Sequence, residues 1–250
     1  MEKILQRSLL KFLTPIRDYG FFDKIIALCL ARGRKDGMNR GVYKRSIKNA
    51  TDNGEVWVCF LPWNVSVQNA ERFGIIPRKG KLILYECPFG IVHTDALVSK
   101  RLLFDVVRDL QSLTLGKFNV LGISVGNYPA FYVANHFVVT KFVSVAPGAR
   151  LGHAIWEGIA TQHVRKASRH KTHKEYDAIL KGTNPIENIS HLPEMIEIHI
   201  GTHDYHIPTA HGEELLMELQ QNNKKHAIFR YQGRGHFMTI LQFARTLMKN

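Results

Sequence analysis

The sequence predicts an α/β fold: a mostly parallel central sheet with helices on both faces. From about residue 55 onward, short apolar runs of strand length alternate with longer amphipathic segments, the pattern of strands connected by helices. The short runs are continuously apolar, which is typical of strands buried on both faces. With 250 residues, 45% of them hydrophobic and 22% charged, the chain can bury one sizeable core and is not mainly disordered.

The chain divides into an extension and a domain. Residues 1–50 are predicted to form a basic, amphipathic helical N-terminal extension, and residues 51–250 the α/β domain. The predicted strands are residues 56–61, 81–86, 118–123, 142–146, 195–200 and 227–231. The predicted helices are residues 94–113, 125–137, 212–221 and a closing helix from about residue 237. The insertion at about residues 149–192, which includes a basic helix-like segment, is predicted to form a short cap.

Positive charge is concentrated in two segments. The chain has 34 Lys and Arg against 21 Asp and Glu, a formal net charge of +13. Residues 1–50 hold twelve basic and four acidic residues, a net +8, and residues 150–174 hold six and one, a net +5. This distribution favours an anionic small-molecule substrate, and it favours peripheral contact of the extension with an anionic membrane surface. No nucleic-acid-binding signature accompanies the basic residues, so nucleic acid is not an expected partner.

The cysteines and the hydropathy pattern bear on the cellular location. Cys29, Cys59 and Cys87 are odd in number and widely spaced, which favours reduced thiols over disulfides or a zinc site. The longest apolar stretch, residues 21–31, is interrupted by charges, so neither a membrane span nor a secretory signal is expected. We therefore expect a cytoplasmic protein.

Several histidines lie in the basic insertion. His163, His170 and His173 stand among Lys and Arg, and the sequence offers no evident carboxylate or cysteine partner at a ligand spacing. A solvated basic face is the expected structure, so the sequence predicts no metal site and no cofactor.

The segment Gly122-Ile-Ser124-Val-Gly126 follows a predicted strand directly and opens a helix. A GxSxG pattern alone arises by chance, but this context is typical of a nucleophile elbow, which exposes the serine hydroxyl above the sheet edge. The alternative is a glycine-rich helix start with Ser124 as its N-cap.

A nucleophilic serine needs a base, and the base needs an acid to orient it. Asp204 follows the predicted strand 195–200 in the motif GTHDYHIP, and His236 follows the strand 227–231 in GRGHF. The carboxyl ends of parallel strands share one edge of a sheet, so all three side chains are expected at that edge. Alternatively, Asp204 stabilises a turn and His236 caps a helix.

From about residue 55 to the end, these motifs resemble the α/β-hydrolase fold superfamily, and the segment 184–193 resembles the run before the acid strand in many members. The resemblance implies that Ser124 is the nucleophile, His236 the general base and then acid, and Asp204 its orienting partner. It also implies an oxyanion hole formed by the backbone N–H groups of Val125 and Phe89.

The chain departs from the family pattern at two positions. Phe89 lies in Cys87-Pro-Phe-Gly90, where many members have His-Gly-x-Gly, and the neighbouring Pro88 has no N–H. Asn127 stands where a glycine usually follows the elbow. The expected function is a serine hydrolase that cleaves a carboxylic ester or thioester of a small molecule through an acyl-enzyme. The alternative is a non-catalytic α/β-hydrolase-like binding protein.

Overall fold

A computed structural model describes residues 41–49 and 51–248, with only the backbone for residues 51–53. Its strands form a seven-stranded sheet in the order β1-β3-β2-β4-β5-β6-β7. β1 pairs antiparallel with β3, and the remaining neighbours are parallel. The strands are β1 (Lys44–Asn49), β2 (Thr51–Phe60), β3 (Lys79–Glu86), β4 (Phe118–Ile123), β5 (Val139–Val145), β6 (Met195–Gly201) and β7 (Ala227–Tyr231).

Helices connect the strands along the chain. They are α1 (Val67–Phe73), α2 (Ala96–Gln111), α3 (Asn127–Ala134), α4 (Leu151–Glu157), α5 (Gln162–Ala167), α6 (His173–Ile179), α7 (Thr209–Gln221) and α8 (His236–Leu247). Short 3-10 turns occupy Phe89–Ile91, Ser124–Gly126, Ile159–Thr161 and Pro185–Glu187. Among the residues described, no helix is long and apolar enough to cross a membrane.

The core lies on both faces of the sheet, as the continuously apolar strands predict. Along β2, Val58 and Phe60 pack into one hydrophobic cluster, whereas Cys59 and Leu61 pack into the other. Successive strand residues point to opposite faces, so each face of β2 receives alternate side chains. The α/β fold with a mostly parallel sheet is therefore confirmed.

The sheet begins earlier than the predicted domain boundary at residue 51. β1, at Lys44–Asn49, is its edge strand and pairs with β3. The strand reads KRSIKN and is mostly exposed, so it has no apolar run by which to recognise it. Edge strands with charged side chains are common, because such residues discourage pairing with other chains. The predicted helices of residues 1–40 lie outside the described residues.

The predicted cap insertion falls between β5 and β6. This connection holds α4, α5 and α6, and α4 packs against α6. The connection follows the carboxyl end of β5, so the cap lies at the edge of the sheet where sites in such folds are found.

Candidate active site

Ser124 follows β4 directly and has a left-handed backbone, with φ of 56°. This conformation is uncommon outside glycine and is strained for a residue with a side chain. The neighbouring glycines allow the tight turn: a Cβ on Gly122 would lie 2.7 Å from the Cβ of Ala130, and one on Gly126 would overlap the carbonyl oxygen of Phe60. This strained strand-to-helix turn is the geometry expected of the predicted nucleophile elbow.

Asn127 anchors this turn to the next strand. Its Nδ2 donates hydrogen bonds to the carbonyl oxygens of Ser124, at 2.8 Å, and Val145, at 2.9 Å. Its Oδ1 accepts one from the Ser144 hydroxyl at 2.6 Å. A glycine at this position could form none of the three. The departure from the family pattern therefore supplies the elbow with a buried polar support.

The structure brings Ser124, His236 and Asp204 together. The Nε2 of His236 lies 2.7 Å from Ser124 Oγ, and its Nδ1 lies 2.6 Å from Asp204 Oδ2. Ser124 follows β4, Asp204 lies in the loop after β6, and His236 begins α8 beyond β7. All three residues are buried, with 8%, 6% and 3% of their surface exposed for serine, aspartate and histidine.

The carboxylate of Asp204 is held by backbone donors as well as by the histidine. Its Oδ1 accepts hydrogen bonds from the N–H groups of His206, at 2.8 Å, and Ile207, at 3.0 Å. These bonds leave Oδ2 directed at His236. Asp177, another acid downstream of Ser124 in the chain, lies on α6 instead and accepts a hydrogen bond from the Gly152 N–H.

The serine and the histidine open onto a cavity of about 200 Å³. Its wall is mainly apolar and includes Trp63, Val92, Val125, Leu151, Ile155 and Phe237. Its polar groups include those of Asn64, Tyr128, Thr161 and His206. Within the described chain, no Lys, Arg, Asp or Glu lines this cavity. Burial raises the pKa of the Tyr128 phenol well above its ordinary value, so it stays protonated and uncharged.

The fold resembles that of solved hydrolases. An esterase from Exiguobacterium antarcticum has 15% identity and a TM-score of 0.52, over 83% of this chain and 94% of that chain. A monoacylglycerol lipase from Paleococcus ferrophilus has 11% identity and a TM-score of 0.52, over 84% of this chain and 99% of that chain. This chain has the α/β-hydrolase fold.

Peptidases share the fold as well. Dipeptidyl peptidase 4 from Porphyromonas gingivalis has 12% identity and a TM-score of 0.57, over 83% of this chain. The match covers 33% of that chain, so the protein spans about a third of the peptidase. The sequence matches no protein-family model and no curated protein. At such identities the likeness shows the α/β-hydrolase fold alone.

The sheet order changes the loop that faces the elbow. In an α/β-hydrolase, the second oxyanion donor comes from the loop after the strand beside the nucleophile strand. Here that strand is β2, whose Phe60 is in register with Gly122. The loop after β2 places Trp63 and Asn64 in the cavity wall beside Ser124.

Phe89 is not in that position. It follows β3, which β2 separates from β4, and it does not line the cavity described above. Its ring contacts the Trp63 ring, with centroids 5.9 Å apart. Phe89 was predicted from the alignment of Cys87-Pro-Phe-Gly90 with the family's His-Gly-x-Gly loop, and chain order does not show which loop lies beside Ser124. The position of Phe89 therefore contradicts its predicted role in the oxyanion hole.

His206 lines the cavity and is a residue to which no role was assigned from the sequence. Its ring stacks on that of His236, with centroids 5.1 Å apart and planes inclined by 27°. The position two residues after Asp204 in GTHDYHIP was the available signal. Cys87, in contrast, is buried, and burial raises the pKa of its thiol, so it is a poor candidate nucleophile.

Proposed function

We propose that the protein is a serine hydrolase that cleaves a carboxylic ester or thioester of a small molecule through an acyl-enzyme. The observation that carries the proposal is the continuous hydrogen-bonded series Ser124–His236–Asp204 at the wall of a cavity. A serine hydroxyl is a weak nucleophile at neutral pH, and an adjacent, oriented imidazole is what activates it.

The proposed reaction has two halves. Ser124 Oγ attacks the carbonyl carbon while His236 Nε2 takes its proton, and the same nitrogen then protonates the departing alkoxide or thiolate. Water next attacks the acyl-enzyme with His236 again as the base, which releases the acid and restores the serine. Throughout, Asp204 accepts the hydrogen bond of Nδ1–H, keeps the tautomer that leaves Nε2 free to accept the proton, and stabilises the imidazolium.

The oxyanion of the tetrahedral intermediate needs two backbone donors. Val125, the residue after the nucleophile, lines the cavity and is the first proposed donor. We assign the second to the N–H of Trp63, which lies in the wall in the loop after β2, because the preceding Pro62 has no N–H.

The cavity wall favours an uncharged acyl group. Its side chains are largely apolar, and a buried charge without a partner would be costly there. Any negative charge on the substrate would lie on the leaving-group side, near the basic surface of the cap that holds Lys166. We therefore retain an anionic leaving group as part of the proposal.

A fluorophosphonate probe tests whether Ser124 is an activated nucleophile. Wild-type protein should be labelled at one site, and Ser124→Ala should not be labelled. Ser112→Ala, which changes an exposed serine at the end of α2, is the matched control and should retain full labelling. Absence of labelling in folded wild-type protein would instead favour the non-catalytic binding protein.

Matched substrates test the class of bond. We expect p-nitrophenyl esters of acetate, butyrate and octanoate to be cleaved faster than the p-nitroanilides of the same acids. Anilide cleavage as fast as ester cleavage would point to a peptidase, the activity in the name of one structural neighbour.

The proposed location is the cytoplasm. Support comes from Cys59 and Cys87, which are buried free thiols, as expected in a reducing compartment. Contact of the basic extension with an anionic membrane surface stays a prediction, since residues 1–40 lie outside the described part of the chain.

A further inference from the structure

Three potential metal ligands converge in the cap, on residues separate from those that line the cavity. His153 lies on α4, and His173 and Asp177 lie on α6. One ligand atom from each lies within 4.8 Å of the other two. The two imidazole rings are perpendicular with centroids 4.1 Å apart, and His153 Nε2 lies 3.7 Å from Asp177 Oδ2. His173 and Asp177 are four residues apart, so they share one face of the helix.

Two polar atoms of this cluster have no hydrogen-bond partner among the described residues. His173 Nδ1 and Asp177 Oδ2 are buried and form no hydrogen bond there. The other carboxylate oxygen, Oδ1, accepts a hydrogen bond from the Gly152 N–H at 2.8 Å, which fixes the carboxylate. Leaving a buried polar atom without a hydrogen bond is costly, so two such atoms in one cluster indicate a missing partner.

The surrounding charges favour a cation. Glu214 Oε2 lies 3.9 Å from His153 Nδ1, and Glu157 Oε2 lies 3.1 Å from His211 Nε2. Glu214 also pairs with the Arg150 guanidinium. Together with Asp177, three carboxylates therefore lie around these histidines, although the insertion as a whole is basic.

The donor set and its spacing suit a divalent transition metal. Two imidazoles and a carboxylate are ligands that Zn²⁺ accepts, at about 2.0–2.2 Å each. Two ligands of a tetrahedral ion at that range are about 3.4 Å apart, close to the separation of His153 Nε2 from Asp177 Oδ2.

We propose that His153, His173 and Asp177 bind a divalent transition metal of the Zn²⁺ class that joins α4 to α6. α4 also carries Leu151 and Ile155 of the cavity wall, so the ion stabilises the cap over the active site. A second set, His153, His211 and Glu214, shares a histidine with the first. It is disfavoured because the Arg150 guanidinium donates to Glu214 at 3.2 Å.

Calorimetric titration of metal-free, untagged full-length protein with Zn²⁺ tests the proposal. Wild type should bind one ion per chain, and its melting temperature should rise with Zn²⁺ concentration, because the ion binds the folded state. His153→Gln, His173→Gln and Asp177→Asn should each weaken binding by at least about tenfold, since loss of even an outer-shell partner costs 10–100-fold. His191→Gln, at an exposed histidine, is the matched control and should bind like wild type.

His211→Gln separates the two ligand sets and should also retain the ion. Absence of Zn²⁺ binding by wild type would overturn the proposal, as would wild-type affinity in all three ligand variants. Loss of binding in His211→Gln and Glu214→Gln, with binding intact in His173→Gln and Asp177→Asn, would overturn this ligand set.

If circular dichroism shows that a ligand variant does not fold, a second measurement on the wild-type protein still tests the proposal. Zn²⁺ should protect His153 and His173 from diethylpyrocarbonate, with the adducts mapped by mass spectrometry, while His191 continues to react. Equal modification of His153 and His173 with and without Zn²⁺ would contradict the proposal without use of any variant.

Discussion

The protein contains two separate histidine–carboxylate clusters, and they differ in how many of their polar atoms form hydrogen bonds. At the active site, His236 has a partner on each nitrogen, and Asp204 Oδ1 has two backbone donors. In the cap, His173 Nδ1 and Asp177 Oδ2 have no hydrogen-bond partner among the described residues. Burial raises the pKa of Asp177 to about 6, although the Gly152 N–H and the Arg150 charge oppose that rise.

This difference in hydrogen bonding indicates which chemistry each buried polar cluster is suited to. In a series whose donors and acceptors are already paired, the histidine can exchange a proton with the serine while the aspartate holds the imidazole in place, which suits acid–base chemistry. A cluster whose facing atoms are unpaired is suited to a ligand from outside the chain. The first two predictions below test whether the two clusters act independently, and the other three test groups outside them.

Loss of the nucleophile or the base should have the largest effect. Ser124→Ala and His236→Ala should each lower kcat for p-nitrophenyl esters by about 10⁶-fold, because serine and histidine act as a unit. Both variants should still bind one Zn²⁺. Ester turnover that survives in Ser124→Ala would mean a different nucleophile, and lost Zn²⁺ binding would mean that the clusters are not independent.

Asp204→Asn should lower kcat by about 10⁴-fold, because the amide favours the wrong histidine tautomer. Asp177→Asn is the matched control: it changes the carboxylate of the cap cluster and should keep the esterase rate in metal-free buffer. Wild-type turnover in Asp204→Asn, measured with the same esters, would require another orienting acid.

Removal of the proposed second oxyanion donor should lower kcat less than the changes to Ser124, His236 and Asp204 do. Trp63→Pro deletes one backbone N–H and should lower kcat by about 10²–10³-fold. Trp63→Phe keeps the N–H and should have a much smaller effect, which separates loss of the amide from loss of the indole. Phe89→Pro deletes the N–H first predicted for this role, at a helix start that tolerates proline, and should leave kcat unchanged. The reverse ranking of the two proline variants would restore Phe89.

Added salt should lower kcat/KM more for anionic ester substrates than for neutral ones. Screening shortens to about 8 Å at physiological ionic strength and 3 Å at 1 M, so long-range attraction by the cap should fade. From low to high salt, kcat/KM for an ester with an anionic leaving group should fall up to about tenfold relative to a neutral ester. Lys166→Gln with Arg169→Gln should reduce the difference. If kcat/KM of wild type changes with salt equally for the two esters, the basic cap surface does not attract anionic substrates.

Loss of the ion pair between Lys141 on β5 and Glu197 on β6 should give the smallest effect. Neither residue belongs to either cluster. The His199 ring and the Lys141 ammonium hold the pKa of Glu197 at about 2, below its ordinary 4.5. At 3.9 Å the His199 nitrogen is too distant for a hydrogen bond, so Lys141, at 2.6 Å, is the closer partner.

Because the folded pKa is the lower one, this stabilisation is present above about pH 4.5 and is lost as the pH falls towards 2. Glu197→Gln should lower the free energy of unfolding at pH 7 by less than about 1 kcal/mol, since the pair is partly exposed. Denaturant unfolding of wild type and of Glu197→Gln, at pH 7 and near pH 2, measures the difference in their free energies of unfolding. A difference that grows at low pH would contradict the assigned sign.

The sequence predicted the elements with strong apolar patterns most accurately. The strands at 118–123 and 227–231 agree with the structure at both ends, and the predicted helix at 212–221 begins three residues earlier, at Thr209. β1 and α1 were missed. β1 is a charged edge strand, and α1 is short and buries only two residues, so neither has the apolar periodicity on which prediction depends.

By itself, the sequence determined the α/β class, the strand-to-helix turn at Ser124, and the expectation that Ser124, Asp204 and His236 follow strand ends. These features depend on local hydrophobic patterns and on glycines whose backbone freedom is local. Only the tertiary structure decided which strand lies beside β4, and hence that Trp63 rather than Phe89 faces the elbow. It also decided that His153 meets His173 and Asp177, because contacts between separate elements depend on packing that no spacing within one segment records.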